Sequence, residues 1–144
     1  MVKSQQGFTL LETLLVLFIM ICLSTLIVKF SFSIAEKREI DRFFKQMQLD
    51  IQYTQIYNMH RREYLEMRFE ESARHYGVKK DLYTYVYKRP YPKGVEFAPS
   101  PSTIIAIRYT NTGSIVNAGT LIFRTPYGTK RVILTLGRGR ARVE

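Results

Sequence analysis

From Phe8 to Val28 the chain reads FTLLETLLVLFIMICLSTLIV, twenty-one residues carrying a single charge. At the helical rise this stretch spans about 31 Å, the thickness of a hydrocarbon core. It is predicted to cross a bilayer as a helix. No Gly or Pro occurs between Gly7 and Gly77, so nothing in the backbone chemistry stops that helix at the membrane edge. Beyond Lys29 the pattern turns amphipathic. Ile40, Phe43, Phe44, Met47, Ile51 and Thr54 recur at spacings of three and four, while Lys37, Arg38, Asp41, Arg42, Lys45 and Asp50 occupy other faces. One stripe is predicted to be buried. A helix continuing to about His60 would be about 80 Å long, more than one small domain covers, so lipid or neighbouring copies must clothe half of it.

After the helix the period changes from 3.6 to 2. Leu65, Met67 and Phe69 alternate with Glu66 and Arg68, as in a half-buried strand. Further strands are predicted at 82–88, 95–98, 103–109, 114–116, 120–124 and 131–136, separated by Gly, Pro and Asn turn signals. Sequential short strands with tight turns predict an antiparallel sheet. The fold class is therefore α+β, a long N-terminal helix packed on a C-terminal antiparallel sheet. Tyr83, Tyr85 and Tyr87 share one strand face; such a stripe can stack bases, but packing against the helix or a neighbouring strand is the reading preferred. Arg89 to Gly94, RPYPKG, is too proline-dense for a central strand and reads as an exposed crossing loop.

Charge changes the picture in the last third. The 144-residue chain carries a formal net charge of +10. Between Glu96 and Glu144 lie Arg108, Arg124, Lys130, Arg131, Arg138, Arg140 and Arg142 without one acid. This cationic region suits an anionic partner such as nucleic acid, lipid headgroups or a wall polymer, and equally a solvated surface. The run LGRGRARV at 136–143 lacks the Lys-Ser/Thr ending and the helix of a phosphate loop, and is predicted to be a bulged turn into a last basic strand. Cys22 is the only cysteine, and it lies inside the apolar run; no intrachain disulfide or thiolate-rich metal site follows. His60 and His75 lie apart and read as surface or helix-end residues. No metal or cofactor is expected, and no nucleophile with its base or pair of carboxylates in a pocket marks an enzyme.

The remaining anomaly is Glu12. A carboxylate within a spanning helix costs about 2.5–3.5 kcal/mol at mid-membrane on insertion scales, and less nearer the interface. Directly before the run stands MVKSQQG, a short polar leader with Gly7 at the junction and Phe8 at the first apolar position. Cleavage after Gly7 would give Phe8 an ammonium four residues from Glu12, a cationic partner in the same or an adjacent chain. A secretory signal or a plain single-span anchor explains the hydropathy, but leaves Glu12 and the Gly7–Phe8 junction unexplained.

The string Gly7-Phe8-Thr9-Leu10-Leu11-Glu12 resembles the processing motif of type IV prepilins and pseudopilins. The resemblance implies cleavage by a prepilin peptidase after Gly7, N-methylation of Phe8, and a charge pair in which Glu12 neutralises the N-terminus of a neighbouring subunit. It also implies residues 1–7 as leader, 8–28 as transmembrane and assembly helix, 29–62 as its amphipathic continuation and 63–144 as the exported sheet domain. Asn111-Thr112-Gly113-Ser114-Ile115, Ala118-Gly119-Thr120 and Leu136-Gly137-Arg138-Gly139-Arg140 resemble the sheet domain of minor pseudopilins of the GspH and FimT group, and more closely ComGD-type competence proteins of Gram-positive bacteria.

The implied function is that of a minor structural subunit of a pseudopilus serving DNA uptake in transformation. A minor subunit of a type II secretion pseudopilus or of a type IV pilus is the alternative, followed by a membrane-anchored nucleic-acid-binding module that never polymerises. Implied partners are other pilin-like subunits, the prepilin peptidase, an assembly membrane protein with its ATPase, and the membrane. DNA contact is open, with Lys130, Arg131, Arg138, Arg140 and Arg142 the candidates. The expected location is the cell membrane with a cytoplasmic leader, then a filament at the cell surface.

Overall fold

The computed structural model describes residues 10–61, 64–81, 83–100, 103–137 and 140–144. The chain divides into two compact units, Met1–Arg38 and Glu39–Glu144. One helix, α1 (Leu10–Arg61), contributes to both.

From Leu10 to Val28 α1 is apolar apart from Glu12 and a few hydroxyls, and in the first unit Leu10, Leu11, Leu14, Phe18, Ile27, Phe30, Phe32 and Ile34 are exposed. Its hydroxyls do not spoil that character. Thr13, Ser24 and Thr25 donate to the Leu10, Met20 and Cys22 carbonyls at 2.7–2.8 Å, satisfying themselves within the helix. The segment is long and apolar enough to cross a membrane.

In the second unit the predicted stripe is buried: Ile40, Phe43, Phe44, Met47, Ile51 and Thr54 all lie in the core. Asp50, assigned from spacing to a polar face, is buried as well, and so is Asn58. Asp50 stands at the edge of the stripe, where a pattern read from apolar residues alone mistakes it for a surface charge.

Two four-stranded antiparallel sheets follow, rather than one. The first holds β1 (Glu66–Glu70), β2 (His75–Lys79), β3 (Tyr85–Pro90) and β5 (Ala106–Arg108) in the order β3-β2-β1-β5. The second holds β4 (Glu96–Phe97), β6 (Gly119–Thr125), β7 (Gly128–Leu134) and β8 (Ala141–Val143) in the order β4-β6-β7-β8. Pro90 and Pro92 flank the point where the chain leaves the first sheet; a residue without an N–H cannot extend a ladder. The chain then pairs β4 with β6 and returns to lay β5 against β1.

Strand β2 was not legible in the sequence, because Gly77 interrupts its pattern. Its register explains the glycine: a Cβ there would lie 2.6 Å from the Tyr85 ring carbons. His75 is accordingly a half-buried strand residue, whereas His60 sits in the last turn of α1. Arg89 and Pro90 end the edge strand β3 instead of opening a loop. The predicted 103–109 and 114–116 strands shrink to β5 and the single bridges Thr103↔Thr120 and Tyr109↔Ile115. Gly137, with φ of 92°, makes the turn after β7, and the expected last strand is β8, which pairs with β7.

The core lies between α1 and the inner faces of the two sheets. Phe43, Phe44, Phe69, Tyr76, Tyr91, Phe97 and Phe123 form a connected set of rings with centroids 5.3–6.3 Å apart, mostly edge-to-face or tilted. That geometry suits aromatic quadrupoles.

Candidate functional site

Glu12 lies in the first turn of α1 and is exposed. A carboxylate at this position is favoured by the helix dipole, and Leu10, Leu11, Leu14 and Leu15 of the same turns are exposed. Gly7 and Phe8 lie outside the described residues. The described residues therefore place one carboxylate at the head of a stretch of exposed, apolar helix, and a carboxylate in hydrocarbon is costly unless it is paired.

Two polar clusters fix the second half of α1 to the sheets. Asp50 accepts hydrogen bonds from the Tyr76 hydroxyl at 2.8 Å and from Gln46 at 2.9 Å, and it is paired with the Arg89 guanidinium through both carboxylate oxygens. Burial, then the neighbouring Asp50 charge and its hydrogen bond, holds the Tyr76 hydroxyl well above the ordinary phenol range. Asn58 donates to the Leu65 and Tyr109 carbonyls, each at 3.1 Å, and accepts the Leu65 N–H at 2.7 Å. It thereby satisfies three backbone groups where the chain turns from helix to sheet. Neither cluster was legible from the sequence; a polar residue at helical spacing within an apolar stripe is the signal that could have found both.

The basic residues of the last third do not form one site. Register places Ile122 opposite Arg131, Arg124 opposite Thr129 and Ile133 opposite Arg142. Because Leu121, Phe123, Val132 and Leu134 point to the core, Arg124, Arg131 and Arg142 share the outer face of the second sheet. They run diagonally across three strands, and such diagonal neighbours lie about 7–8 Å apart. Two carboxylates border the row: Glu144 is paired with Arg142 at 3.1 Å, and Glu96 stands opposite Arg124 in register. Lys130 is opposite Phe123 and so belongs to the other face, half-buried. Arg140 lines a groove with Gln52, Gln55, Ile56 and Met59 of α1. Arg138 lies outside the described residues.

The tyrosine stripe also divides. Tyr87 turns inward, its ring 6.4 Å from that of Tyr53 on α1. Tyr85 lies across Gly77 on the outer face, with Lys88 and Lys79 ammonium groups 4.0 and 4.4 Å from its centroid. Tyr83 is 92 % exposed, outside the strand. Among the described residues no group of three His, Cys, Asp or Glu is placed to hold a metal.

Comparison with known proteins agrees with this geometry. Residues 2–28 match the family model described as the prokaryotic N-terminal methylation motif. Two crystal forms of the type IV minor pilin FimU of Pseudomonas aeruginosa strain PAO1 share the fold. One aligns with a TM-score of 0.54 at 12 % identity over 69 % of this chain and 88 % of that one; the other aligns at 0.56 and 10 % over 76 % and 89 %. No curated protein matches the chain. The N-terminal segment thus matches a methylation-motif model, and the helix-on-sheet domain that follows shares its fold with a type IV minor pilin.

Proposed function

We propose that this chain is a minor structural subunit of a type IV pilus-like filament, a pseudopilus that serves DNA uptake in transformation. One observation carries the assembly part: the methylation motif heads a helix whose Leu10–Val28 stretch is apolar and exposed, with Glu12 at its start. In a bilayer lipid covers that surface; in a filament, the helices of other subunits do. Cleavage after Gly7 gives Phe8 a new ammonium, methylated in place, and Glu12 of an adjacent subunit meets it. A lone buried charge is costly and a paired one is tolerated, so this contact sets the register between subunits. Processing and assembly then need a prepilin peptidase, sibling pilin-like subunits and an assembly ATPase with its membrane protein.

The leader 1–7, membrane helix 8–28, amphipathic continuation 29–62 and exported domain 63–144 follow from this scheme. The DNA-uptake role is supported by the resemblance of the 111–120 and 136–140 turns to competence pseudopilins, and by the diagonal of Arg124, Arg131 and Arg142. Lys130, Arg138 and Arg140 complete the set of candidate anion contacts. The likeness to FimU favours a second reading, a minor subunit of a type IV pilus.

The assembly reading is tested by Glu12→Gln and Glu12→Leu. Both variants are expected to insert in the membrane at wild-type level and to disappear from sheared surface filaments, the leucine variant more completely. Normal filaments containing either would sink the pairing. Loss of transformation with intact twitching and protein secretion in a deletion strain supports the competence role, whereas the converse assigns the chain to a pilus or secretion system.

A further inference from the structure

The first sheet presents a second surface of mixed aromatic and cationic character, independent of the basic tail. With Leu65, Met67, Phe69, Tyr76, Val78 and Ile107 in the core, register places Glu66, Arg68, Glu70, Lys79, Gly77, Lys88 and Arg108 on the opposite, outer face. The start of β1, the end of β2, the start of β3 and the end of β5 meet at one end of this sheet. A cavity of about 440 Å³ opens there, lined among others by Tyr64, Arg68, Lys79, Lys80 and Arg108. Tyr64 is 69 % exposed, and Tyr83, two residues before β3, is 92 % exposed.

The cations are gathered rather than scattered. Tyr85, held flat by the missing side chain of Gly77, draws the Lys79 and Lys88 ammonium groups over one ring. Three carboxylates belong to the same surface. Glu66 takes Arg108 at 2.7 Å and Arg68 at 3.8 Å, Glu70 takes Arg68 at 3.3 Å and Lys79 at 3.9 Å, and Asp81 lines the cavity. Against them stand Arg68, Lys79, Lys80, Lys88 and Arg108, leaving the surface cationic.

We propose that this end of the first sheet binds single-stranded nucleic acid, with Tyr64 and Tyr83 stacking on bases and the exposed Lys88 and Arg108 facing phosphates. Exposed rings interleaved with cations suit a strand whose base faces are free; a duplex hides those faces and offers only its phosphates and base edges. An acidic peptide would use the cations but leave the two rings without purpose. The site does not depend on filament assembly, so strand binding by a chain that never polymerises leaves it standing.

The test uses the full chain in detergent micelles and a fluorescein-labelled oligothymidylate of about twenty nucleotides, longer than one stacking site, read by anisotropy. Salt-sensitive binding is expected. Tyr64→Ala with Tyr83→Ala should weaken it about ten-fold or more, while the double Phe variant retains it because stacking needs the ring and not the hydroxyl. Lys88→Gln with Arg108→Gln should weaken it and flatten the salt dependence by about one unit of slope. Wild-type affinity in the double Ala variant overturns the proposal. So does tighter binding of the matching duplex that is lost on Arg131→Gln with Arg142→Gln.

Discussion

At the residue scale, two side chains that a hydropathy reading treats as surface groups hold the helix to the sheets. Asn58 serves three backbone groups with one amide, and no apolar residue replaces those bonds. Asn58→Leu is expected to lower the stability of the folded chain by about 2–3 kcal/mol, the cost of leaving buried backbone groups unpaired; urea unfolding in detergent measures it. Asp50→Ala leaves Arg89 and the Tyr76 hydroxyl without their shared acceptor. Because Arg89 is partly open to solvent, water recovers some of the loss, and a decrease of about 2 kcal/mol is expected. Replacing both Asp50 and Arg89 by Leu should cost less than the sum of the single changes, since no unpaired charge then remains.

At the element scale, β2 and β3 depend on a glycine whose role is spatial. Gly77→Ala would place a methyl 2.6 Å from two Tyr85 ring carbons and 3.1 Å from the Tyr87 carbonyl oxygen. Tyr85 must leave its position, and with it goes the anchor of Lys79 and Lys88. Faster hydrogen exchange of β3 amides, with α1 amides unchanged, is the expected signature. This glycine also shows where sequence legibility ended. Strand β1 and the α1 stripe were readable because each carries an unbroken period, whereas HYGVK carries none and needs β1 and β3 beside it to become a strand. The second sheet was likewise hidden: strand existence follows from local pattern, but β4 pairs with β6, a partner that local pattern does not name. Glu12 and the Gly7–Phe8 junction stood out for a different reason, since a charge in an apolar run is conspicuous without any tertiary information. Asp50 and Asn58 were not conspicuous, because their partners are up to 51 residues away.

At the scale of the whole molecule, the second unit is built around buried phenols, and this couples its stability to alkaline pH. Burial raises the hydroxyl pKa of Tyr76, Tyr87 and Tyr91, and pushes Tyr109 up to about 12. In the unfolded chain all four ionise near the ordinary value of about 10. Their contribution is therefore fully present below that pH and is lost as pH rises through the raised folded-state values, because the unfolded chain releases protons that the native state keeps. Unfolding followed by circular dichroism above about pH 10 should coincide with the tyrosinate absorbance contributed by these four phenols; their titration without loss of structure would contradict this.

Among the described residues the first unit has the opposite character, its apolar side chains from Leu10 to Val28 being exposed. The central claim is that this chain is processed for assembly. It is tested most directly by intact-mass and N-terminal peptide analysis of the protein from its native cells, with and without the prepilin peptidase. A mature chain beginning at methylated Phe8, dependent on that peptidase, is the expected result. A chain that retains Met1 to Gly7 in peptidase-positive cells would contradict it.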